Sequence, residues 1–248
     1  MKNYNYLAFD LDGTLAPSKS VLQESMSKIL KELLQTKKIA VISGASFEQY
    51  RKQFVAYLPP DANLDNLLLA PTNGASIYTF EDGDWQEKER HFLTEETKRE
   101  VIKILQEALD KFGVERNNIY GEQIEDRQSQ ITFSGCGQQA PIEVKQTWDP
   151  KAELRLKIAN YVGERLPDLS VRIGGMTSVD ITQKGIDKEY ALRRIFEIWQ
   201  IQPDELLFAG DALFPGGNDE PAKNSGCDTV QVEDPLDTER VLREMFLG

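Results

Sequence analysis

Residues 6–15 read YLAFDLDGTL, and this stretch decides both the fold and the chemistry expected of the 248-residue chain. Its first four residues, Tyr6–Phe9, form a short apolar run of the kind found in strands that are buried on both faces. Two carboxylates, Asp10 and Asp12, follow at once, and Gly13 then permits a sharp turn. We therefore predict a buried strand that ends at a turn carrying both carboxylates.

Other apolar runs end in the same manner, with small or polar residues directly after the last apolar one. They are Ile39–Ile42 before Ser43-Gly44, Leu67–Ala70 before Pro71-Thr72-Asn73-Gly74, and Glu205–Ala209 before Gly210-Asp211. Between the first two strands, Leu22–Leu33 carries apolar residues at helical spacing. Ser20 with Gln23 predicts a capping box there, and Ser46 predicts the start of a second helix. Strands that alternate with helices indicate a parallel sheet.

The pattern changes after residue 82. The acidic run Glu81–Glu89 is interpreted as a solvated linker into a block of different character. The elements predicted in that block are a helix over Thr94–Phe112, a strand over Gln130–Ser134, a helix from Asp149-Pro150, and a hairpin of Leu169–Ile173 with Ser178–Ile181. We therefore predict an α/β fold with a Rossmann-like parallel-sheet core, residues 1–82 and 186–248, and an inserted α+β cap domain, residues 83–185.

The candidate active site lies where the parallel strands end, because ligands of such sheets bind outside the carboxyl ends of the strands. Asp10 and Asp12 would repel each other there unless a cation joined them. Asp211 adds a third carboxylate from a distant strand, and hard divalent cations such as Mg²⁺ prefer oxygen ligands. Asp10 could then attack phosphorus while the metal and a lysine neutralise the phosphoryl oxygens. In the alternative, the first two aspartates only form a turn and Lys188 is a surface charge.

Four motif groups, in this order along the chain, resemble those of the haloacid dehalogenase superfamily. They are Asp10-Leu11-Asp12-Gly13-Thr14, Ser43 with Gly44, Lys188, and Gly210-Asp211 with Asn218-Asp219. The extended last motif, Gly210–Asp219, and the segment Gly174–Asp180 are similar to the eukaryotic-type phosphomannomutase branch, which has a large α/β cap (subfamily IIB). The resemblance spans nearly the whole chain.

The resemblance implies a role for each matched residue. Asp10 would be the covalent nucleophile and Asp12 the acid and base that serves the leaving and attacking oxygens. The other implied roles are phosphate binding by Ser43, Gly44 and Lys188, metal binding by Asp10, Asp12 and Asp211 with support from Asn218 and Asp219, and substrate binding by Lys19, Arg127, Ser178 and Asp180. Simpler alternatives stay open for the cap: Arg127 could serve only in an ion pair, and Ser178 and Asp180 could be the solvent side of a strand.

Three positions depart from the pattern of that branch, because its phosphate-binding arginines correspond here to Lys19, Gln138 and Lys145. A mutase must grip the second phosphate of a bisphosphorylated intermediate, which favours bidentate guanidinium groups. We therefore expect a Mg²⁺-dependent phosphatase of a small metabolite such as a sugar phosphate, with substrate held between core and cap. The alternatives are a phosphohexomutase and a non-catalytic phosphosugar-binding protein.

The negative net charge of the chain argues against two classes of binding partner. The chain has a formal net charge of −12 and an isoelectric point near 4.7, so nucleic acids and anionic membranes would be repelled. Only two cysteines, Cys136 and Cys227, are present, which predicts reduced thiols rather than a disulfide framework. The N-terminus lacks the pattern of a signal peptide, so a cytoplasmic location is expected. A homodimer through the cap is a further expectation.

Overall fold

The computed structural model describes residues 2–18 and 20–247, and the chain divides into two compact units. The core unit comprises Met1–Arg90 and Ile186–Gly248, and the inserted unit comprises His91–Gly185. The insertion therefore begins at residue 91 rather than at residue 83 as predicted. The physical reason is that residues 84–90 form a strand of the core sheet instead of a linker.

The core unit is built on a seven-stranded sheet with the order β11-β10-β1-β2-β3-β4-β5. The strands are β1 (Tyr6–Phe9), β2 (Lys38–Ile42), β3 (Leu67–Ala70), β4 (Ser76–Glu81), β5 (Asp84–Arg90), β10 (Leu206–Gly210) and β11 (Asp228–Gln231). The first three together with β10 and β11 are mutually parallel, and β4 and β5 join the edge in antiparallel pairing. The predicted parallel-sheet core is confirmed.

Helices cover both faces of this sheet, so its central strands are buried on both sides and read as continuous apolar runs. The helices are α1 (Glu24–Leu34), α2 (Phe47–Gln53), the short turn α3 (Pro71–Gly74), α7 (Lys188–Trp199) and α8 (Pro235–Leu242). Short 3₁₀ segments cover Val55–Tyr57, Leu64–Asn66, Pro203–Glu205 and Glu220–Ser225, and a π-helical segment covers Arg243–Leu247. The apolar face of α1 packs on one side of β1, and that of α7 packs on the other.

Of the two helix starts predicted before the insertion from capping residues, one agrees with the structure and one does not. Ser46 caps α2 as predicted, and its capping box is completed by Gln49. The predicted box of Ser20 and Gln23 is wrong, because α1 begins at Glu24 with Gln23 as a cap that makes no side-chain bond. A propensity pattern identifies a helix more reliably than its first residue.

The acidic run at the end of β4 illustrates how charged residues can form a strand. Asp82 and Gly83 make a tight turn with positive φ angles of 53° and 82°, which returns the chain as β5 along β4. Alternate residues of β5 face inward, and two of these are glutamates with long-range partners: Glu87 accepts a hydrogen bond from the Tyr78 hydroxyl at 2.9 Å, and Glu89 pairs with Arg194. These partners make the charged strand stable at the sheet edge.

The inserted unit has its own four-stranded antiparallel sheet with the order β6-β7-β9-β8. Its strands are β6 (Ile124–Asp126), β7 (Gln130–Ser134), β8 (Leu169–Gly174) and β9 (Ser178–Gln183), and its helices are α4 (Glu95–Lys111), α5 (Ile142–Trp148) and α6 (Glu153–Arg165). One sheet face packs on α4 and α6 through an apolar cluster that includes Val101, Ile158 and Phe133. The predicted α+β character is confirmed.

The helix start predicted at Asp149-Pro150 lies three residues before the first residue of the observed helix. Helix α6 begins at Glu153, after Ala152 in a left-handed conformation. The Asp149 carboxylate nevertheless accepts hydrogen bonds from the backbone N–H groups of Leu154 at 3.2 Å and Arg155 at 3.0 Å. Asp149 therefore lies outside the helix but accepts hydrogen bonds from backbone N–H groups of its first turn, which have no partner within the helix.

Both cysteines are buried free thiols. Across residues 2–18 and 20–247, no helix combines the length and apolar character needed to cross a membrane.

Candidate active site

Two aspartates leave the sheet at the carboxyl ends of neighbouring strands. Asp10 follows β1 and Asp211 follows β10, and the strands pair in register with Phe9 opposite Ala209. The backbone N–H of Asp10 continues this ladder by donating to the carbonyl of Ala209 at 3.0 Å. Parallel pairing thus places the two carboxylates side by side, although 200 residues separate them along the chain.

Lys188 lies at the centre of the site. It is the first residue of α7, whose N-terminus is capped by the side chain of Asp187. Its fully buried ammonium donates to Asp10 Oδ1 at 2.5 Å and also contacts Asp219 Oδ1. The prediction that Lys188 and Asp10 belong to one site agrees with this geometry, whereas the surface-charge alternative does not.

The electrostatics of this buried cluster favour an additional cation. Burial raises the pKa of Asp10 to about 8, although the charge of Lys188 opposes this rise. The nearby charges of Asp219 and Asp12 raise it further. For Lys188, burial acts to lower the pKa, but the two carboxylates outweigh that effect and hold the pKa above its ordinary value. Lys188 therefore keeps its positive charge. The negative charge of Asp10 is the one that an additional cation would stabilise.

Three carboxylates are placed to hold a metal ion. Oxygens of Asp10, Asp211 and Asp219 all lie within 4.8 Å of one another. When all three are ionised, the single ammonium of Lys188 leaves two negative charges uncompensated, which matches a divalent cation. Asp10 Oδ2 is buried and accepts no hydrogen bond from the residues that the structure describes, so it is available for a further interaction. The residues present therefore fit Mg²⁺.

The membership of this cluster differs in part from the one predicted. The carboxylate of Asp12 lies outside the group, yet close enough for its charge to act on Asp10. Asp219, expected only to support the ligands, lies inside it, fully buried. Asp219 Oδ2 also accepts from the backbone N–H of Ala212 at 2.9 Å. The neighbouring Asn218 is exposed and is not part of the cluster.

Asp211 is held by two residues whose roles the sequence did not reveal. The Thr14 hydroxyl accepts from the Asp211 backbone N–H at 3.0 Å and donates to Asp211 Oδ1 at 3.2 Å. Gly13 has a φ of +92°, and a Cβ there would lie 2.7 Å from Asp211 Oδ2. The glycine and threonine of the first motif thus fix the carboxylate of the last one.

The predicted phosphate loop lies at the end of β2, beside β1. Ser43 is buried, and its hydroxyl accepts from the N–H of Ala45 at 3.1 Å. The carbonyl of Ser43 accepts from the N–H of Asn73 at 2.9 Å. Thr72 and Asn73 have φ angles of 48° and 56°, a conformation that is rare for a β-branched residue such as threonine. The turn after β3 therefore supports Ser43 and Gly44 at a cost in backbone strain.

Gly74 joins this turn to the helix that carries Lys188. Its φ is +88°, and a Cβ would lie 2.6 Å from the Cβ of Ala191, one turn after Lys188 on α7. We expect Gly74→Ala to lower the free energy of unfolding by about 2–4 kcal/mol, because both overpacking and the left-handed backbone are unfavourable for alanine. Chemical denaturation measures this loss, and turnover should fall with it as α7 shifts.

The matched control is Gly83→Ala in the β4–β5 turn. Gly83 has a similar φ of +82° but open space around its Cβ position. It should therefore show only the backbone penalty, about 1 kcal/mol. Equal losses in the two variants would show that contact with α7 is unimportant at Gly74.

The predicted substrate residues of the inserted unit lie on its sheet. Ser178 and Asp180 share one face of β9, Ser178 buried and Asp180 half-buried. The Asp180 carboxylate accepts a hydrogen bond from Thr132 at 2.9 Å. The Arg127 guanidinium pairs with Glu125 at 2.7 Å, so the ion-pair alternative describes a real interaction of this side chain.

The model for the family described as eukaryotic phosphomannomutase matches residues 26–248 of this chain. The chain belongs to this family. Among relatives, the phosphomannomutase of Encephalitozoon cuniculi is 30% identical, with 97% of this chain and 94% of that protein covered. The phosphomannomutase of Saccharomyces cerevisiae is 26% identical, with coverage of 96% and 92%.

Solved structures agree on the fold. An IMP-bound IMP-nucleotidase of Plasmodium falciparum superposes with a TM-score of 0.73 at 18% identity, covering 99% of this chain and 68% of that one. A haloacid dehalogenase-like hydrolase of Bacteroides thetaiotaomicron gives 0.64 at 15% identity, with 98% and 100% covered. The chain is thus a member of the phosphomannomutase family with the fold of the haloacid dehalogenase superfamily.

Two of the positions at which the resemblance implies a departure from the family pattern lie on the inserted unit. The Nε2 atom of Gln138 is buried without a hydrogen-bond partner among the described residues. The side chain of Lys145 is largely buried, and its ammonium donates to the carbonyl of Gln138 at 3.3 Å. Lys19, predicted as a substrate contact, lies outside the described residues.

Proposed function

We propose that this protein is a Mg²⁺-dependent phosphohexomutase that interconverts hexose 1- and 6-phosphates, as the names of its relatives suggest. The observation that carries the proposal is the family match over residues 26–248, with relatives aligned over almost their whole length. This choice reverses the preference for hydrolysis drawn from sequence, because the relatives named here are phosphomannomutases. The buried cluster of Asp10, Lys188, Asp211 and Asp219 supports phosphoryl transfer of either kind.

In the proposed mechanism Asp10 is the nucleophile. Its Oδ1 is bound by Lys188, so Oδ2, which accepts no hydrogen bond within residues 2–18 and 20–247, is the one that attacks phosphorus. A bond forms between Oδ2 and phosphorus, the bond from phosphorus to the sugar oxygen breaks, and Asp12 donates a proton to that oxygen. In the second half, a sugar hydroxyl loses its proton to Asp12 and attacks phosphorus, which frees Asp10.

Mg²⁺ held by Asp10, Asp211 and Asp219 would neutralise charge on the phosphoryl oxygens. Lys188 orients Oδ1 of Asp10 throughout and keeps its own proton, in line with its raised pKa. Thr14 and Gly13 keep Asp211 in place. Ser43 and Gly44 would bind the phosphoryl group at the end of the adjacent strand.

Hydrolysis is the second candidate, and a specific observation favours it. Where the family pattern has arginines, this chain has a neutral amide at Gln138 and a single ammonium at Lys145, already bonded to a carbonyl. A weak second phosphate site would hold the hexose monophosphate acceptor poorly, so that water rather than its hydroxyl group would take the phosphoryl group from Asp10. Water would then replace the sugar hydroxyl in the second half-reaction.

Product analysis separates the candidates. Mannose 1-phosphate or glucose 1-phosphate is incubated with Mg²⁺, catalytic hexose 1,6-bisphosphate and the protein, with EDTA as a control. We expect hexose 6-phosphate to accumulate with little free phosphate. Free phosphate without 6-phosphate would establish the phosphatase instead, and tight binding without turnover across a panel of phosphorylated metabolites would identify a binding protein.

Two substitutions in the inserted unit extend this assay. Gln138→Arg should raise the ratio of hexose 6-phosphate to free phosphate, since it restores a bidentate donor. Gln139→Arg, at the exposed neighbouring position, adds the same charge and serves as the matched control. A ratio that rises equally in both would attribute the effect to charge alone.

A further inference from the structure

One face of the inserted sheet carries a ladder of polar side chains. Strands β7 and β9 pair with Gln130 opposite Thr182, Thr132 opposite Asp180 and Ser134 opposite Ser178. The intervening residues, such as Phe133 and Val179, point to the apolar core on the other face. Five of the six members of the ladder are buried, and Asp180 is half-buried. Buried polar groups of this number need a reason beyond stability, because each must be satisfied.

Three of these residues form a hydrogen-bonded chain that ends on a carboxylate. Gln130 Nε2 donates to Thr132 Oγ1 at 2.7 Å, and Thr132 Oγ1 donates to Asp180 Oδ1 at 2.9 Å. The direction is fixed by chemistry: a carboxylate only accepts, and a threonine hydroxyl has one proton to give. Thr132 must therefore receive its own bond from an N–H of Gln130. In this orientation Gln130 Oε1 is buried and has no hydrogen-bond partner in the part of the chain that the structure describes.

The second oxygen of Asp180 is confined as well. A Cβ on Gly174 would overlap Asp180 Oδ2, so the glycine makes room for the carboxylate. The register partner of Asp180 on β8 is Arg172, which adds a cationic neighbour on that strand. Asp180 thus has one oxygen directed by Thr132 and the other packed over a glycine, an arrangement that selects a single rotamer.

We propose that Gln130 and Thr132 are positioning residues that orient Asp180 to accept hydrogen bonds from the hydroxyl groups of a sugar phosphate. The proposal rests on the proposed function, in which Asp180 contacts the sugar. A carboxylate fixed in advance binds a hydroxyl pair without the loss of rotamer freedom that an unrestrained side chain would incur. The buried Gln130 amide fixes Thr132, and Thr132 fixes Asp180.

The test compares Thr132→Val, which keeps the shape of the side chain and removes the hydroxyl, with Thr132→Ser, which restores it. Mannose 1-phosphate is the probe in the Mg²⁺-loaded enzyme. We expect KM to rise about tenfold in Thr132→Val, with kcat changed much less, and to return close to the wild-type value in Thr132→Ser. Gln130→Met should act in the same direction with a smaller effect. Thr182→Val, on the same face of β9, is the matched control and should leave KM unchanged.

A double-mutant cycle separates positioning from general damage to the sheet. Once Asp180→Ala has removed the acceptor that Thr132 orients, adding Thr132→Val should raise KM no further. An independent increase in KM, or a wild-type KM in Thr132→Val itself, would overturn the inference. If the wild-type protein does not turn over hexose phosphates, the proposed function falls separately. The inference is then tested by calorimetric Kd values for mannose 1-phosphate. It is overturned if the Thr132→Val protein binds this ligand as tightly as the wild type does, or if the wild type does not bind it.

Discussion

Asp10→Asn should reduce turnover by at least about 10,000-fold, because an amide oxygen cannot form the covalent bond to phosphorus that the carboxylate makes. The fold should survive intact. Asparagine keeps an oxygen that can accept from Lys188, and the change removes one of three carboxylates that repel each other in the buried cluster. The free energy of unfolding should therefore be unchanged or higher. Steady-state kinetics and denaturation of the same preparation measure both effects.

A trapping experiment identifies the attacked group directly. Acid-quenched wild-type protein should carry one phosphoryl group on the peptide that contains Asp10, and the variant should carry none. Asp65→Asn, an exposed aspartate of the core unit, makes the same change in charge and should behave as wild type. Substantial turnover in Asp10→Asn would mean that another residue, or water itself, attacks phosphorus.

The parts of this site that could be predicted from sequence are those encoded by strand ends. Asp10 and Asp211 each follow a short apolar run, and parallel pairing brings such ends to one edge whatever the length of chain between them. Lys188 was placed by its position at the start of a helix within an ordered set of motifs. For these residues, local pattern and topology together determine the location.

The positions of Asp219 inside the cluster and of the Asp12 carboxylate outside it could not be predicted in this way. Spacing of two residues suggested that Asp10 and Asp12 share a direction, but the chain turns between them and Asp12 pairs instead in an isolated bridge with Ala16. Asp219 enters the cluster because the loop after β10 folds back, with its N–H donating to the carbonyl of Ala212 at 3.2 Å. Such a loop path depends on contacts that no periodicity encodes.

Charged strands and polar ladders were missed for a related reason. Residues 84–90 alternate as a strand should, but glutamates at the inward positions concealed the alternation. Their partners Tyr78 and Arg194 come from other elements. The chain from Gln130 through Thr132 to Asp180 likewise depends on the register of two strands that are distant in sequence. The pattern of residues along the chain does not show which side chains of different elements contact each other.

Lys188→Met should abolish turnover and, unlike Asp10→Asn, also destabilise the core unit by about 3–5 kcal/mol. Methionine fills a similar volume, so packing changes little, but Asp10 and Asp219 lose the buried ammonium that both contact. Two buried carboxylates without a counter-charge are strongly unfavourable. Urea unfolding in EDTA at fixed ionic strength measures the loss. In excess Mg²⁺ the loss should be smaller, because a cation that binds the folded state compensates part of the missing charge.

A cycle with the nucleophile tests whether charge is the cause. Adding Asp10→Asn to Lys188→Met removes one of the uncompensated carboxylates and should recover part of the lost stability without restoring turnover. Lys28→Met, which breaks only an exposed ion pair with Glu24 on α1, should unfold like the wild type. If the second substitution recovered nothing, the loss in Lys188→Met would come from packing at the start of α7. The ammonium would then not be what allows three aspartates to share one buried site.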